Sequence, residues 1–207
     1  MTRCGRLWAA LCLLGTGSLA TAQVIEYESN GLRYQAQTKG GLTVLFAELP
    51  RHVREYAILQ VAVTNGSPIA WVVKPEDLTF QRPDGGQVHP TPAKLVVDVM
   101  LAKGQRGDAI KLVNTYEAAL YGLATHRSTN GYELRRQQMQ AEMVSAKLKA
   151  AATASALVMV PTKLKPGDST DGAVFFPNNG KHLGAGKLIV QIGGEAFQFD
   201  TYASTAP

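Results

Sequence analysis

Four histidines, His52, His89, His126 and His182, stand one to a segment of the 207-residue chain. None has the two-, three- or four-residue spacing that lets two ligands share a helix face or a strand, so no local metal motif is present. Both cysteines, Cys4 and Cys12, fall within the first 22 residues. The chain has no Gly-x-Ser-x-Gly elbow and no phosphate-cradling glycine loop. Asp168, Asp171, Glu195 and Asp200 are of the type that holds calcium at a loop end, and equally of the type that caps turns and solvates strands. Arg106-Gly107-Asp108 spells an adhesive, integrin-type tripeptide, a three-letter pattern that also recurs by chance. Two carboxylates suffice for glycoside hydrolysis and leave no local signature, so dispersed Asp and Glu residues keep a hydrolase open. No catalytic residue, metal ligand or cofactor is assigned on these grounds, and the ligand-binding residues are unknown.

The elements that would position such residues begin after a leader. Arg3 and Arg6 form a basic start, Leu7 to Leu14 is a short apolar run, and Ala20-Thr21-Ala22 is a small-x-small cleavage pattern. Together they predict a secretory signal peptide over 1–22, cut between Ala22 and Gln23. A retained anchor is the alternative, but the run is shorter than the ~20 residues a bilayer needs and is interrupted by Gly15, Gly17 and Ser18. Cys12 is preceded by Leu11, where a lipid-attachment site requires a small residue. Cleavage leaves 185 of the 207 residues, one ordinary domain without cysteine, held by its core alone in an oxidising compartment. Losing Arg3 and Arg6 takes the 21 basic residues to 19 against 16 acidic ones, a net charge of +3. That is too small an excess to argue for nucleic acid.

The mature chain reads as short strands punctuated by turns. Tyr56 to Gln87 is the clearest stretch. Ala57, Leu59, Val61 and Val63 alternate, which places one apolar face on a core and leaves a mixed face with Ile58, Gln60, Ala62 and Thr64 outward. Asn65-Gly66-Ser67-Pro68 turns the chain, Ile69, Trp71 and Val73 resume the alternation, and Lys74-Pro75 ends it. Leu78 and Phe80 form a third run, closed by Pro83-Asp84-Gly85-Gly86. Earlier, Asn30-Gly31 supplies a type I′ turn between alternating segments, and Leu42 to Phe46 is a further strand. Later come the Leu164 to Asp168 turn, a strand over Ala173 to Phe176, and a hairpin about Gly193-Gly194 with Leu188, Val190 and Ile192 entering and Phe197 and Phe199 leaving. Trp71 is expected as a core anchor.

Between these halves the period changes. Val88 to Met100 alternates at Leu95, Val97 and Val99 and reads as strand for part of its length, although Thr91-Pro92 is also a legitimate helix start. Ala109 to Leu123 has helical spacing. A second helix is expected from Tyr132 to about Ala156, opened by Asn130 and Glu133 in a capping-box pattern, with Leu134, Ala141, Val144 or Ser145, Leu148 and Ala152 on one face. Met139 and Met143 would pack on the sheet or offer an adaptable partner surface. The fold expected is therefore mainly β, an antiparallel β-sandwich with an α-helical insertion at about 104–157, in a single domain over 23–207.

Leu59-x-Val61-x-Val63-x-Asn65, Val73-x-Pro75 with Leu78, Asp84-Gly85, Leu164-x-Pro166-Gly167 and Gly172-x-Val174-Phe175-Phe176 follow one another in a distinctive order. In that order they resemble the secreted bacterial immunoglobulin-like sandwiches of the telokin-like type, over about half of the mature chain. The resemblance implies an immunoglobulin-like fold and an envelope or secreted binding module. The expectation is an exported, non-enzymatic module, periplasmic or extracellular, that binds another envelope protein or surface component. It has no nucleic-acid partner and no transmembrane segment in the mature chain. A hydrolase using dispersed carboxylates, or a structural subunit of a surface assembly, are the alternatives.

Overall fold

In a computed structural model the chain is described over residues 23–50, 52–122 and 145–202. The signal-peptide expectation over 1–22 up to Ala22, with Cys4 and Cys12, lies outside these residues. So do His126, the Asn130–Glu133 cap, Leu134, Met139, Ala141, Met143 and Val144. Among the described residues eleven strands and three α-helices follow in chain order. They are β1 (Val24–Ser29), β2 (Leu32–Lys39), β3 (Leu42–Glu48), β4 (Tyr56–Asn65), β5 (Trp71–Val73), β6 (Leu78–Gln81) and β7 (Gln87–Val88). Next come α1 (Ala93–Lys103), α2 (Arg106–Gly122) and α3 (Ala146–Leu157), then β8 (Thr162–Leu164), β9 (Ser169–Pro177), β10 (Gly186–Ile192) and β11 (Glu195–Thr201). A five-stranded sheet has the order β1-β2-β3-β4-β9, a four-stranded sheet the order β11-β10-β6-β7, and β5 pairs with β8. Every ladder is antiparallel.

The turns form where their residues demand it. Asn30 and Gly31 both take positive φ, 51° and 73°, and Gly193 and Gly194 do so at 61° and 87°. Those are the two left-handed positions of a type I′ hairpin, which glycine and asparagine adopt at least cost. Gly193 has a second reason: a Cβ there would enter the Trp71 ring.

Leu59, Val61 and Val63 on β4 meet Phe80 on β6, Leu188 and Val190 on β10, and Phe197 and Phe199 on β11, so the two large sheets enclose one core. Phe46 meets Phe199 edge-on at 5.0 Å. The opposite face of β4 is not outward, as its mixed composition suggests. Ile58, Gln60 and Ala62 are buried, and that face packs with Tyr34, Ala47, Ala173 and Phe175 under Val96 and Met100 of α1, Ala109 and Leu112 of α2, and Ala150, Ala154 and Leu157 of α3. The architecture is three layers: helices, five-stranded sheet, four-stranded sheet.

Two further expectations are corrected here. The Leu95, Val97, Val99 alternation belongs to a helix, because Val96 and Met100, four apart, are the residues that reach the sheet while Leu95 stays exposed. Helical structure therefore begins at Ala93, eleven residues before the expected 104. The run expected from Tyr132 to Ala156 is not one helix, since Ser145 is extended (φ −89°, ψ 130°) and α3 starts after it. Its inward face is alanine, at 150, 151, 152 and 154, whereas Leu148 is exposed. Small side chains bring α3 close to the end of α1, where a Cβ on Gly104 would lie 2.9 Å from Ala150 Cβ.

Trp71 is a rim residue rather than a central anchor. It is half-buried, and its Nε1 donates to Ser67 Oγ at 2.8 Å. Ser67 is held in turn by the fully buried Asn65. Asn65 Oδ1 accepts from Ser67 N (3.0 Å) and Ser67 Oγ (2.7 Å), and its Nδ2 donates to the carbonyls of Ile69 (2.7 Å) and Leu164 (3.2 Å). One side chain thus fixes the turn after β4 and joins it to β8. Removing it orphans several buried groups, so Asn65→Ala is expected to lower the unfolding free energy by roughly 3 kcal/mol, read from urea denaturation.

Burial also sets a pH limit. The Tyr34 phenol, beneath the helices and stacked on Tyr27 at 5.2 Å, is pushed up to about 12 from 10.0 by burial and then by Tyr27. Tyr27 and Tyr56 are raised too, in both cases first by burial. A phenol with a raised folded-state pKa stays protonated in the fold while the unfolded chain ionises. Its contribution is complete below the ordinary tyrosine pKa and is lost as pH climbs through the folded value. Stability is expected to fall between about pH 10 and 12, with a shallower fall in Tyr34→Phe, measured by denaturation at fixed pH steps.

Candidate functional site

The acidic residues singled out by type do not converge. Asp168 Oδ2 accepts from Lys165 N at 2.9 Å and caps the turn before β9. Asp171 is buried within β9, Glu195 opens β11 beside Gly40, and Asp200, near the other end of β11, lies 3.9 Å from Lys187 Nζ. Among the described residues no three His, Cys, Asp or Glu side chains form a group able to hold a metal ion. His52 and His89 are exposed and stand on separate segments.

Arg106-Gly107-Asp108 is not displayed as an adhesive tripeptide. Asp108 is buried, and its Oδ2 accepts from Gln105 N at 2.9 Å, the reach-back of an N3 acid to its helix cap. The same oxygen accepts from Arg54 Nε at 2.8 Å. Arg54 also donates to the Lys103 carbonyl. The aspartate is spent inside the fold, joining the turn before β4 to the start of α2.

A cleft does form where the two large sheets part, between the β1–β2 turn, the end of β3, the loop between β9 and β10 and the end of β11. Its volume is about 360 Å³. Leu32, Phe46, Leu49 and Pro50 supply apolar lining, and Glu28, Arg33, Gln35, Glu48, His182 and Tyr202 supply the polar and aromatic part.

The polar part comes from strand geometry. On β2 the odd positions Arg33, Gln35, Gln37 and Lys39 share a face, and that face turns toward the second sheet. Gln35 Nε2 donates to the Asp200 carbonyl at 2.8 Å, Gln37 Oε1 accepts from Gln198 N at 3.2 Å, and Lys39 Nζ donates to the Ala196 carbonyl. The Arg33 guanidinium lies 5.1 Å from the centre of the Tyr202 ring, a cation–π distance. Side chains from β2 therefore cap the free edge of β11 and end at the cleft.

Two cleft groups are tied into the structure. Glu48 Oε1 accepts from Leu183 N at 2.8 Å and stands 3.3 Å from His182 Nδ1. Gln35 Nε2 is doubly used, by Asp200 O and by Glu26 Oε1 at 2.9 Å. Its Oε1, by contrast, is buried and has no hydrogen-bond partner among the described residues.

Of the described residues singled out by type, only His182 lines this cleft. Glu28, Arg33, Gln35, Glu48 and Tyr202 were missed. The available signal was the run of four polar residues at alternate positions of β2, which reads as a solvent face and is not one.

No family model, no curated protein and no solved structure matches the chain. Among the described residues no helix is long and apolar enough to cross a membrane.

Glu48 is expected to hold the cleft wall through the Leu183 amide. Glu48→Ala should cost about 1–2 kcal/mol by orphaning that N–H, and Glu48→Gln, whose amide oxygen still accepts, should cost clearly less. Urea unfolding of both variants checks the difference.

Proposed function

We propose that the chain is an exported, non-enzymatic binding module of the cell envelope whose ligand site is the cleft between the sheets. The β framework is read as an immunoglobulin-like sandwich of the telokin-like type, with a helical layer added to one face. Supporting this are the facing antiparallel sheets and the proximity of the quoted motifs, since Asn65 bonds Leu164 and accepts from Gly167 N at 2.7 Å.

The observation that carries the functional reading is the cleft's lining, which sets two carboxylates, Glu28 and Glu48, and the exposed Tyr202 beside apolar Leu32, Phe46 and Leu49. Glu28 and Glu48 bring carboxylate acceptors to this gap, and the cation–π contact of Arg33 with Tyr202 leaves the guanidinium N–H groups able to donate as well. A small polar ligand rich in N–H or O–H donors, an amine or a polyol, is the complement of such a surface. Apolar lining with a few placed polar groups is the usual make-up of a small-molecule site.

A hydrolase is the second reading, favoured by Glu28 and Glu48 lining one cleft. Against it, Glu48 is already engaged by a backbone amide and an imidazole.

A thermal-unfolding screen of amines, amino acids and sugars tests both. A true ligand at a hundred times its dissociation constant adds about 2.7 kcal/mol of stability. That gain is expected to vanish in Tyr202→Ala and to shrink in Glu28→Gln. A protein stabilised by no amine or polyol at millimolar concentration sinks the binding reading. Turnover of a glycoside that is abolished in Glu28→Gln establishes the hydrolase instead.

A further inference from the structure

Among the described residues each long strand edge is closed, with one exception. On the outer side of β9 the carbonyls of Ala173 and Phe175 accept from Met159 N (2.9 Å) and Thr91 N (2.8 Å). Chain continuing from α3 thus covers that edge, and a Cβ on Gly172 would collide with Met159 there. The edge of β11 is capped by Gln35, Gln37 and Lys39. β5, β7 and β8 are only two or three residues long. β1 is six residues long, pairs only with β2, and carries neither proline nor lysine. Its other side has no partner among the described residues. Ile25 is 62% exposed and Tyr27 38% exposed on that strand. A bare, unbulged edge of this length is a template for an added strand unless it is blunted.

We infer that β1 receives an extended segment of another protein as a sixth strand of the large sheet, and that this segment alternates basic and apolar residues. The alternation follows from the two faces of β1. Glu26 and Glu28 share one face, and Ile25 and Tyr27 share the other. An incoming strand places a residue opposite each, so lysine or arginine faces the two glutamates and an apolar side chain extends the Ile25–Tyr27 surface. Main-chain hydrogen bonds supply the affinity and the alternate side chains the selectivity, as in other β-augmentation. A second copy of this chain is a poorer occupant. Antiparallel pairing of two β1 strands with matched faces sets Glu26 against Glu26 or against Glu28, and like charges directly opposite are destabilising. The inference does not rest on the cleft reading, although Glu28 also lines the cleft, and amide exchange along β1 is the readout that separates the two.

The probes are four hexapeptides: acetyl-(Val-Lys)3-amide, its glutamate counterpart acetyl-(Val-Glu)3-amide, and two forms of the lysine peptide N-methylated at alternate residues, one for each possible register. Binding is read by fluorescence anisotropy, and its position by amide hydrogen exchange along β1. The lysine peptide is expected to bind and to slow exchange within Val24–Ser29. The glutamate peptide should not bind, and one N-methylated register should lose binding while the other keeps it. Glu28→Lys, at an exposed position, should weaken the lysine peptide by roughly fivefold, the worth of one cross-strand charge pair. Equal binding of the lysine and glutamate peptides overturns the inference, as does binding that leaves β1 exchange unchanged or survives both methylations. Dimerisation of the protein at micromolar concentration with protection confined to β1 also overturns it, since a second copy is then the occupant.

Discussion

The structure depends on the pairing of β4 with β9, two strands separated by more than a hundred residues of chain and joined over nine consecutive residue pairs from Tyr56–Pro177 to Thr64–Ser169. Both strands are buried almost throughout on both faces. A strand pair with one wet face needs a single cover, whereas this pair needs two. The four-stranded sheet covers the side carrying Leu59, Val61, Val174 and Phe176, and the helices cover the side carrying Ile58, Ala62, Ala173 and Phe175. The helical segment between the strands is therefore part of the core. With the helices gone, the second face of the central pair would lie bare. Its buried polar residues include Gln60 and Asp171, and among the described residues the Gln60 amide has no hydrogen-bond partner. Such a group is a local cost carried by the packing around it.

The two sheets are joined at their open side by a different device. Apolar side chains fill the centre of the sheet stack, but along β2 the inward positions are polar, and they bond to main-chain groups of β11 in register, one at each alternate residue. Gln35 and Gln37 are buried and lose their water, and each regains a partner on the edge of the neighbouring sheet. The exchange ties the sheets at fixed register and removes β11 as a site for strand addition. It also explains why a cleft forms beyond Gln35. The ladder runs out at Asp200, Arg33 reaches Tyr202 instead of a carbonyl, and the sheets diverge with polar groups already facing the gap.

How much of this was legible in the residues follows from whether the determinant was local. The turns were, because positive φ at Asn30-Gly31 and Gly193-Gly194 is a property of one or two residues. The alternation of β4 was legible too, but its second buried face was not. Ile58, Gln60, Ala62 and Thr64 are mixed in polarity, and only the helical layer of α1, α2 and α3 decides the burial of the first three. α1 was obscured for a related reason. Leu95, Val97 and Val99 alternate with apolar neighbours on every side, so the pattern fits a strand as well as a helix, and the contacts of Val96 and Met100 settle it. The cleft was the least legible part. It joins residues about 28–50 with 182–202, and it exists only through the register of β2 against β11.

Arg54 shows how a local oddity is paid for by such distant contacts. It holds φ at 58°, a left-handed value that a residue with a long side chain adopts at some cost. It does so in the tight turn closed by reciprocal bonds between Val53 and Tyr56, immediately before β4. What keeps it there is Asp108, which offers one oxygen to both the Arg54 guanidinium and the amide that caps α2. Glycine would relax the backbone but leave a buried carboxylate without its cation, the more expensive of the two defects. The strained turn and the helical layer therefore specify each other. An arginine–aspartate pair that reads as an adhesive tripeptide in the sequence is, in the fold, two residues from different partnerships. Arg106 is exposed, while Asp108 belongs to Arg54 and to the entry of the central strand.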